Sequence, residues 1–292
     1  MAKNTGISWV SDPETLTRGR TWNPVTGCDK ISDGCDNCYA LTTAARLQKM
    51  GSKRYLVDGD PATSGPGFGV TLHEDLVDAP RHWRNPTMCF VNSMSDLFHA
   101  RVPVEFVARV FATMTATPQH TYQVLTKRAS RLPKLLDRLE WPSNLWMGVT
   151  VEDEAAMSRI DALVQVPATV RFLSAEPLLG PLPGLAEKLD GIDWVIVGGE
   201  SGAGARPMDP AWVADIRAAC AQTGTAFFFK QTGTVLATQL GLAKKGDKPD
   251  EWPGTAGALA GLLEQRGRDV VEVADLFVQQ FPTGDPTRVA ER

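Results

Sequence analysis

The stretch TWNPVTGCDKISDGCDNCYA, residues 21–40, gathers three of the chain's five cysteines, Cys28, Cys35 and Cys38, in the pattern C-x6-C-x2-C. Such a triplet can be part of a disulfide framework, a zinc site, or the cradle of an iron-sulfur cluster. An odd cysteine count in a long chain that opens without an apolar export signal disfavours disulfides. Structural zinc takes four ligands, commonly from two paired motifs, and here His73 or His82 would have to complete a Cys3His site that their spacing does not recommend. Three cysteines without a fourth suit a [4Fe-4S] cluster in which one iron keeps an open coordination position. The residues leave the cluster and the zinc site both standing. Cys35 and Cys38 are expected at the start of a helix capped by Asp33 or Asp36, where the helix N-terminus lowers thiol pKa values. The loop DKISDG can fold Cys28 back onto them.

A second set of reactive types follows a series of apolar runs. Asn92, Ser93, Ser95 and Asp96 follow the first, and Thr126 and Lys127 the second. Thr150, Glu152 and Asp153 follow the third, and Ser174 and Glu176 the fourth. Glu200 and Ser201 follow the fifth, Lys230 and Gln231 the sixth. Glu176 precedes Pro177 and Glu200 follows Gly198 and Gly199, so both carboxylates fall at abrupt turns. Lys127 and Lys230 can pair with them or bind a carboxylate or phosphate. The glycines of GGESGAGARP let a ligand approach backbone amides. Cys89 and Cys220 sit in apolar surroundings and read as core, and His99 and His120 stand alone near loop ends.

These groups converge only if the apolar runs are strands of one sheet. The runs cover residues 88–94, 121–127, 145–152, 169–177, 193–201 and 226–231, with starts about 24 to 33 residues apart, the length of a strand, a helix and two loops. Residues 102–118 show a helical face of Val104, Val107, Ala108 and Phe111, and residues 209–224 read as a helix with Asp209 at the N-cap, Pro210 behind it and Gly224 at the stop. Strands so continuously apolar belong to a parallel sheet covered by helices. With strands near TWNPVT and FGVTLH (residues 68–73) and a helix over residues 36–50, the pattern predicts an α/β protein, a (β/α) barrel of TIM type with six to eight parallel strands. Chemistry then gathers at the C-terminal strand ends. The barrel is expected over residues 1–231 with the cysteine loop near its start. Residues 232–292 read as a C-terminal appendage: a loop over 242–257, a helix over 257–267 and a strand-like 269–278.

With 292 residues and 43% apolar content the chain can bury a large core. It has no apolar run of membrane-spanning length, so a cytoplasmic protein without membrane association is expected. A net charge of −4 excludes a general attraction to nucleic acid, leaving Lys127, Arg128, Arg131, Lys134 and Arg138 as a local basic segment. Pro133 fits a first helical position there, which sets Lys134 and Arg138 on one face.

The stretches ISWVSD, TWNPVTGCDKISDGCDNCYA, FVNSMSDLFH, WMGVTVED, RFLSAEPLLGP, DWVIVGGESGAGARPM and FFFKQTG resemble the phage-associated three-Cys-motif family, proteins of unassigned activity from phage and mobile-element genomes. The resemblance covers residues 7–233. That family is similar to radical S-adenosylmethionine (SAM) enzymes, whose usual triplet is CxxxCxxC. The resemblance implies a [4Fe-4S] cluster on Cys28, Cys35 and Cys38, with SAM as a second cofactor. On that reading the strand-end residues Asn92, Ser93, Asp96, Gly198, Gly199, Glu200 and Ser201 are expected to contact the cofactor, and Glu176, Glu200, Lys127 and Lys230 to be catalytic. GGE at residues 198–200 resembles the motif that holds the SAM amino group. A nucleic-acid or nucleotide-type substrate, host cytoplasm and a partner encoded by a neighbouring gene fit the phage setting. An iron-sulfur nucleic-acid-binding or redox protein that does not use SAM, and a zinc-stabilised binding protein, are the alternatives.

Overall fold

The computed structural model describes residues 5–10, 19–266 and 276–282. In chain order the elements are β1 (Arg20–Trp22), β2 (Val25–Thr26), α1 (Tyr39–Lys49), β3 (Thr71–Leu72), β4 (Met88–Val91), α2 (Val104–Thr115), β5 (Thr121–Thr126) and β6 (Leu145–Thr150). There follow α3 (Ser158–Leu163), β7 (Val170–Ala175), β8 (Trp194–Gly198), α4 (Pro210–Thr223), β9 (Ala226–Gln231), α5 (Gly233–Gln239) and α6 (Ala256–Glu264). The described residues form two compact units, residues 5–10, 19–149 and 162–171 in the first, and 150–161, 172–266 and 276–282 in the second.

In the first unit β1, β4, β5 and β6 run parallel, with Trp22 beside Val91, Val91 beside Val124 and Val124 beside Met147. In the second, β7, β8 and β9 run parallel, with Ala175 beside Val197 and Val197 beside Phe229. Seven parallel strands in chain order are the strand plan of a partial (β/α) barrel, the α/β class that the periodicity predicts. The runs are so apolar because both faces are covered: every residue of β6, β7 and β8 is buried. FGVTLH is a correction to the strand count. Its Thr71 and Leu72 pair antiparallel with Thr26 and Val25 in a separate ribbon, so it adds no eighth strand.

α2 buries Phe106, Val107, Val110, Phe111 and Met114, a face rotated from the expected one, on which Val104 and Ala108 are only half-buried. α4 starts as its sequence dictates: the Asp209 side chain accepts from the Ala211 amide, Pro210 follows, and Gly224 ends the helix in the left-handed region. The basic segment differs. Pro133–Arg138 is a 3-10 helix, so the four-residue spacing of Lys134 and Arg138 does not give them a common α-helical face. Beyond β9, the expected loop over 242–257 contains a 3-10 helix at Pro249–Thr255, and α6 runs close to its expected place. The strand-like run 269–278 lies, up to residue 275, outside the described residues; Gln279 bridges antiparallel to Phe228. Among the described residues no helix is long and apolar enough to cross a membrane.

Candidate functional site

Parallel pairing in register brings the C-terminal ends of β1, β4 and β5 to one edge of the first unit's sheet, and the cysteine loop is tied to that edge. The Gly27 amide donates to the Met94 carbonyl (3.0 Å) and Cys28 N to Phe68 O (3.3 Å). Gly27 has φ +85°, and a Cβ there would lie 2.2 Å from the Gly69 carbonyl oxygen, so only glycine fits ahead of Cys28. Asn23, just past β1, accepts from the Met94 amide (3.0 Å) and the Ser93 hydroxyl (3.3 Å) past the end of β4. The hydroxyl of Tyr39, next to Cys38, donates to the Ser93 carbonyl.

All five cysteines are free thiols, with Cys28, Cys35 and Cys38 half-buried and Cys89 and Cys220 fully buried. The disulfide reading is thereby set aside. Cys28 and Cys38 pack against one apolar cluster of Ala40, Ala44, Tyr55, Phe68 and Met94. Cys35 stands close enough to both that its charge raises their pKa values. The local geometry corrects the expected cap. Asp33–Cys35 forms a 3-10 turn, α1 begins only at Tyr39, and its N-cap is Cys38 rather than Asp33 or Asp36. The amides of Ala40 and Leu41 favour the Cys38 thiolate, as a helix N-terminus should, but burial outweighs them and the pKa is raised. Burial likewise pushes the Cys28 thiol up to about 12.

A polar hub flanks Cys28. The Asp29 carboxylate accepts from Ser64 Oγ (2.6 Å), Thr63 Oγ1 (3.2 Å), His99 Nε2 (3.0 Å) and Arg101. Although burial opposes it, the hydrogen bonds from Ser64, Arg101 and His99 hold this carboxyl well below the ordinary range. Arg128 Nη2 donates to the Asp29 carbonyl (2.9 Å) and lies 3.8 Å from Cys28 Sγ. Of this hub, sequence reasoning singled out only His99 and the basic Arg128, neither for this role. The partners lie about 35 to 100 positions apart in the chain and leave no local pattern.

Of the strand-end residues, Asp96 is buried and its carboxylate is engaged by Thr126 Oγ1 (2.8 and 2.9 Å) and the amides of Phe98 (2.9 Å) and Lys127 (3.2 Å). Asn92 is buried, with φ 60°, and neither atom of its side-chain amide has a hydrogen-bond partner. A buried amide left bare costs free energy that a ligand would recover. By donor type the three thiols suit a thiolate-bound metal group, and the bare Asn92 amide follows the end of β4 at the edge to which their loop is tied. As the chain stands, no three His, Cys, Asp or Glu side chains among the described residues are arranged as for a bound metal ion.

The second unit gathers its own strand-end residues. Glu176, joined to Pro177 by a cis peptide, directly follows β7 and pairs with Lys230 of β9, the two side chains 19% and 16% exposed. Gly198 ends β8 beside Glu176: a Cβ there would lie 3.3 Å from Gln231 Cγ and 3.5 Å from Glu176 Cδ. Gln231 Nε2 donates to the Gly199 carbonyl (2.8 Å). A Cβ on Gly199 would meet the Thr232 carbonyl oxygen at 2.3 Å, so that glycine serves chain packing. Glu200 is 5% exposed, and both its oxygens are bound by Arg206. Ser201 is half-exposed and leads into the exposed residues 202–204. Glu152 pairs with Arg159 at 2.6 Å, and its carbonyl accepts from Leu179 and Gly180.

The chain is thus an α/β protein of parallel strands carrying a free three-cysteine loop at a strand-end edge. It belongs to the family described as "Protein of unknown function (DUF5131)", whose profile matches residues 4–260. No curated protein matches the sequence. Among solved structures it is similar to a cysteine-to-serine mutant of spore photoproduct lyase, at 15% identity and TM-score 0.47, covering 91% of this chain and 77% of that one. A mutant of the same lyase with bound AdoMet and dinucleoside spore photoproduct gives 13% identity and TM-score 0.47, covering 90% and 76%.

Proposed function

We propose that this protein is an iron-sulfur enzyme of radical SAM type that acts on a nucleic-acid or nucleotide-type substrate. The observation that carries the reading is the triplet itself: three free, half-buried thiols from one loop and one helix start, tied to the strand-end edge of a parallel α/β unit. Cys28, Cys35 and Cys38 would hold a [4Fe-4S] cluster, whose fourth iron is left to SAM. When bound, that pair supplies a 5'-deoxyadenosyl radical able to abstract a hydrogen atom.

The chain's own side chains do the rest. Asn92, with its bare amide, is the first candidate for a contact to SAM or substrate, with Ser93 beside it. Asp96 holds the turn through Thr126 and Lys127 in place. The Glu176 and Lys230 pair of the second unit is the candidate acid and base. Glu200 fixes Arg206 and the glycine-rich segment between them, a positioning role. A nucleic-acid substrate and a partner encoded nearby fit the phage setting that the resemblance implies.

Anaerobic reconstitution with iron and sulfide, followed by reduction in the presence of SAM, tests this. A brown protein that releases 5'-deoxyadenosine supports it. A stable cluster with neither SAM binding nor cleavage points instead to an iron-sulfur protein that works without SAM, and one zinc with no iron to a zinc-stabilised binding protein.

A further inference from the structure

We infer that Arg128 is a positioning residue for the metal centre, its guanidinium fixing the Cys28 sulfur as a ligand and offsetting the negative charge of the thiolates. This rests on the reading of the cysteine triplet as a metal site. The basic segment in which Arg128 lies looks from sequence like a solvated face or a nucleic-acid contact, yet the Arg128 guanidinium reaches Cys28.

The geometry leaves the guanidinium little else to do. Arg128 emerges just past β5, where its amide donates to Thr126 Oγ1 (2.9 Å). Two carboxylates stand nearby, and both are engaged elsewhere. Asp29 is bound by Ser64, Thr63, His99 and Arg101, and offers Arg128 only its carbonyl. Asp96 is bound by Thr126 and two amides, and its Oδ2 stays 3.9 Å from Arg128 Nε, beyond a hydrogen bond. Nε is therefore a buried donor without a hydrogen-bond partner, left with that long ion pair to Asp96, while Nη2 faces Cys28 Sγ at 3.8 Å.

An arginine is always charged, and a buried donor without an acceptor is costly. Thiolate and sulfide are the acceptors this donor set lacks. A cationic N–H donor against a ligand sulfur orients it and withdraws electron density from the metal.

Cobalt(II) alone is the probe, added anaerobically to the whole metal-free chain, because it reports thiolate ligation by its sulfur-to-metal absorption without requiring iron, sulfide or SAM. Arg128→Gln keeps a donor for the Asp29 carbonyl and removes the charge; Arg128→Lys keeps the charge. The expected result is that Arg128→Gln binds cobalt about 10- to 100-fold more weakly than wild type, with its sulfur band moved to lower energy, and that Arg128→Lys recovers most of the affinity. A merely structural role would weaken binding without moving the band. If Arg128→Gln melts early by circular dichroism, Arg128→Met, which also lacks the charge, is titrated below its own melting temperature and should show the same weaker binding and moved band. Equal affinity and an unmoved band in Arg128→Gln would overturn the inference and leave the metal site standing. A wild-type chain with no sulfur-to-cobalt band would overturn both.

Discussion

Arg206 holds Glu200 by three hydrogen bonds, from its amide (2.8 Å) and Nε (3.0 Å) to one carboxylate oxygen and from Nη2 (2.6 Å) to the other. The carboxylate is 5% exposed and the arginine side chain 33%, so the pair is buried on one side and wet on the other. Arg206→Met strands a buried charge and should cost near the low end of about 3–5 kcal/mol. Adding Glu200→Gln should return part of that loss, which urea unfolding of the single and double variants measures.

Gly27 decides whether Cys28 can reach its place. Gly27→Ala sets a Cβ against the Gly69 carbonyl at 2.2 Å in a left-handed backbone, so it should destabilise by more than about 1 kcal/mol. It should also weaken metal binding more than Gly51→Ala does, since Gly51 has φ +74° but open space around it. Thermal melting and metal titration of the two variants compare strain alone with strain at the cysteine loop.

The cap of α4 tests local helix chemistry alone. Asp209→Ala removes the acceptor of the Ala211 amide and the partner of Arg266, and about 1 kcal/mol of stability should go with them. Asp209→Asn, which can still cap, should lose less in the same unfolding measurement.

Three buried histidines make the fold sensitive to acid. Burial lowers the pKa of His73, His99 and His120 below their ordinary 6.5, with the Arg128 charge helping at His99. Below 6.5 the unfolded chain binds protons that the folded chain refuses, so their stabilisation is full above that pH and is lost as pH falls through the folded values. The urea midpoint should therefore drop between about pH 7.5 and about pH 5.5. His73→Gln, which can still meet Thr26 Oγ1, should flatten that slope.

The sheet was legible because each strand is short, apolar and β-rich. The runs at 121–127 and 226–231 match β5 and β9 to within a residue, and Asp209, Pro210 and Gly224 bound α4 as local chemistry requires. The cysteine triplet was legible as a cluster of one residue type. Its surroundings were not. Asp29 meets Ser64, His99, Arg101 and the distant Arg128 through tertiary contacts alone, and no periodicity records them. The cap of α1 was missed because a cysteine took a place that favours aspartate, and Pro133–Arg138 because a proline start fits a 3-10 helix as well as an α-helix. FGVTLH alternates like a strand, yet nothing in it tells a ribbon from a barrel strand.

The central claim is that Cys28, Cys35 and Cys38 hold an iron-sulfur cluster with one iron open to SAM. Iron, sulfide and zinc content of protein purified without oxygen, with an EPR spectrum of the reduced sample before and after SAM is added, tests it most directly. The account predicts about four iron and four sulfide per chain, a signal that changes shape on addition of SAM, and loss of the cluster in Cys35→Ser. One zinc per chain without iron, or a full cluster whose signal ignores SAM, would contradict it.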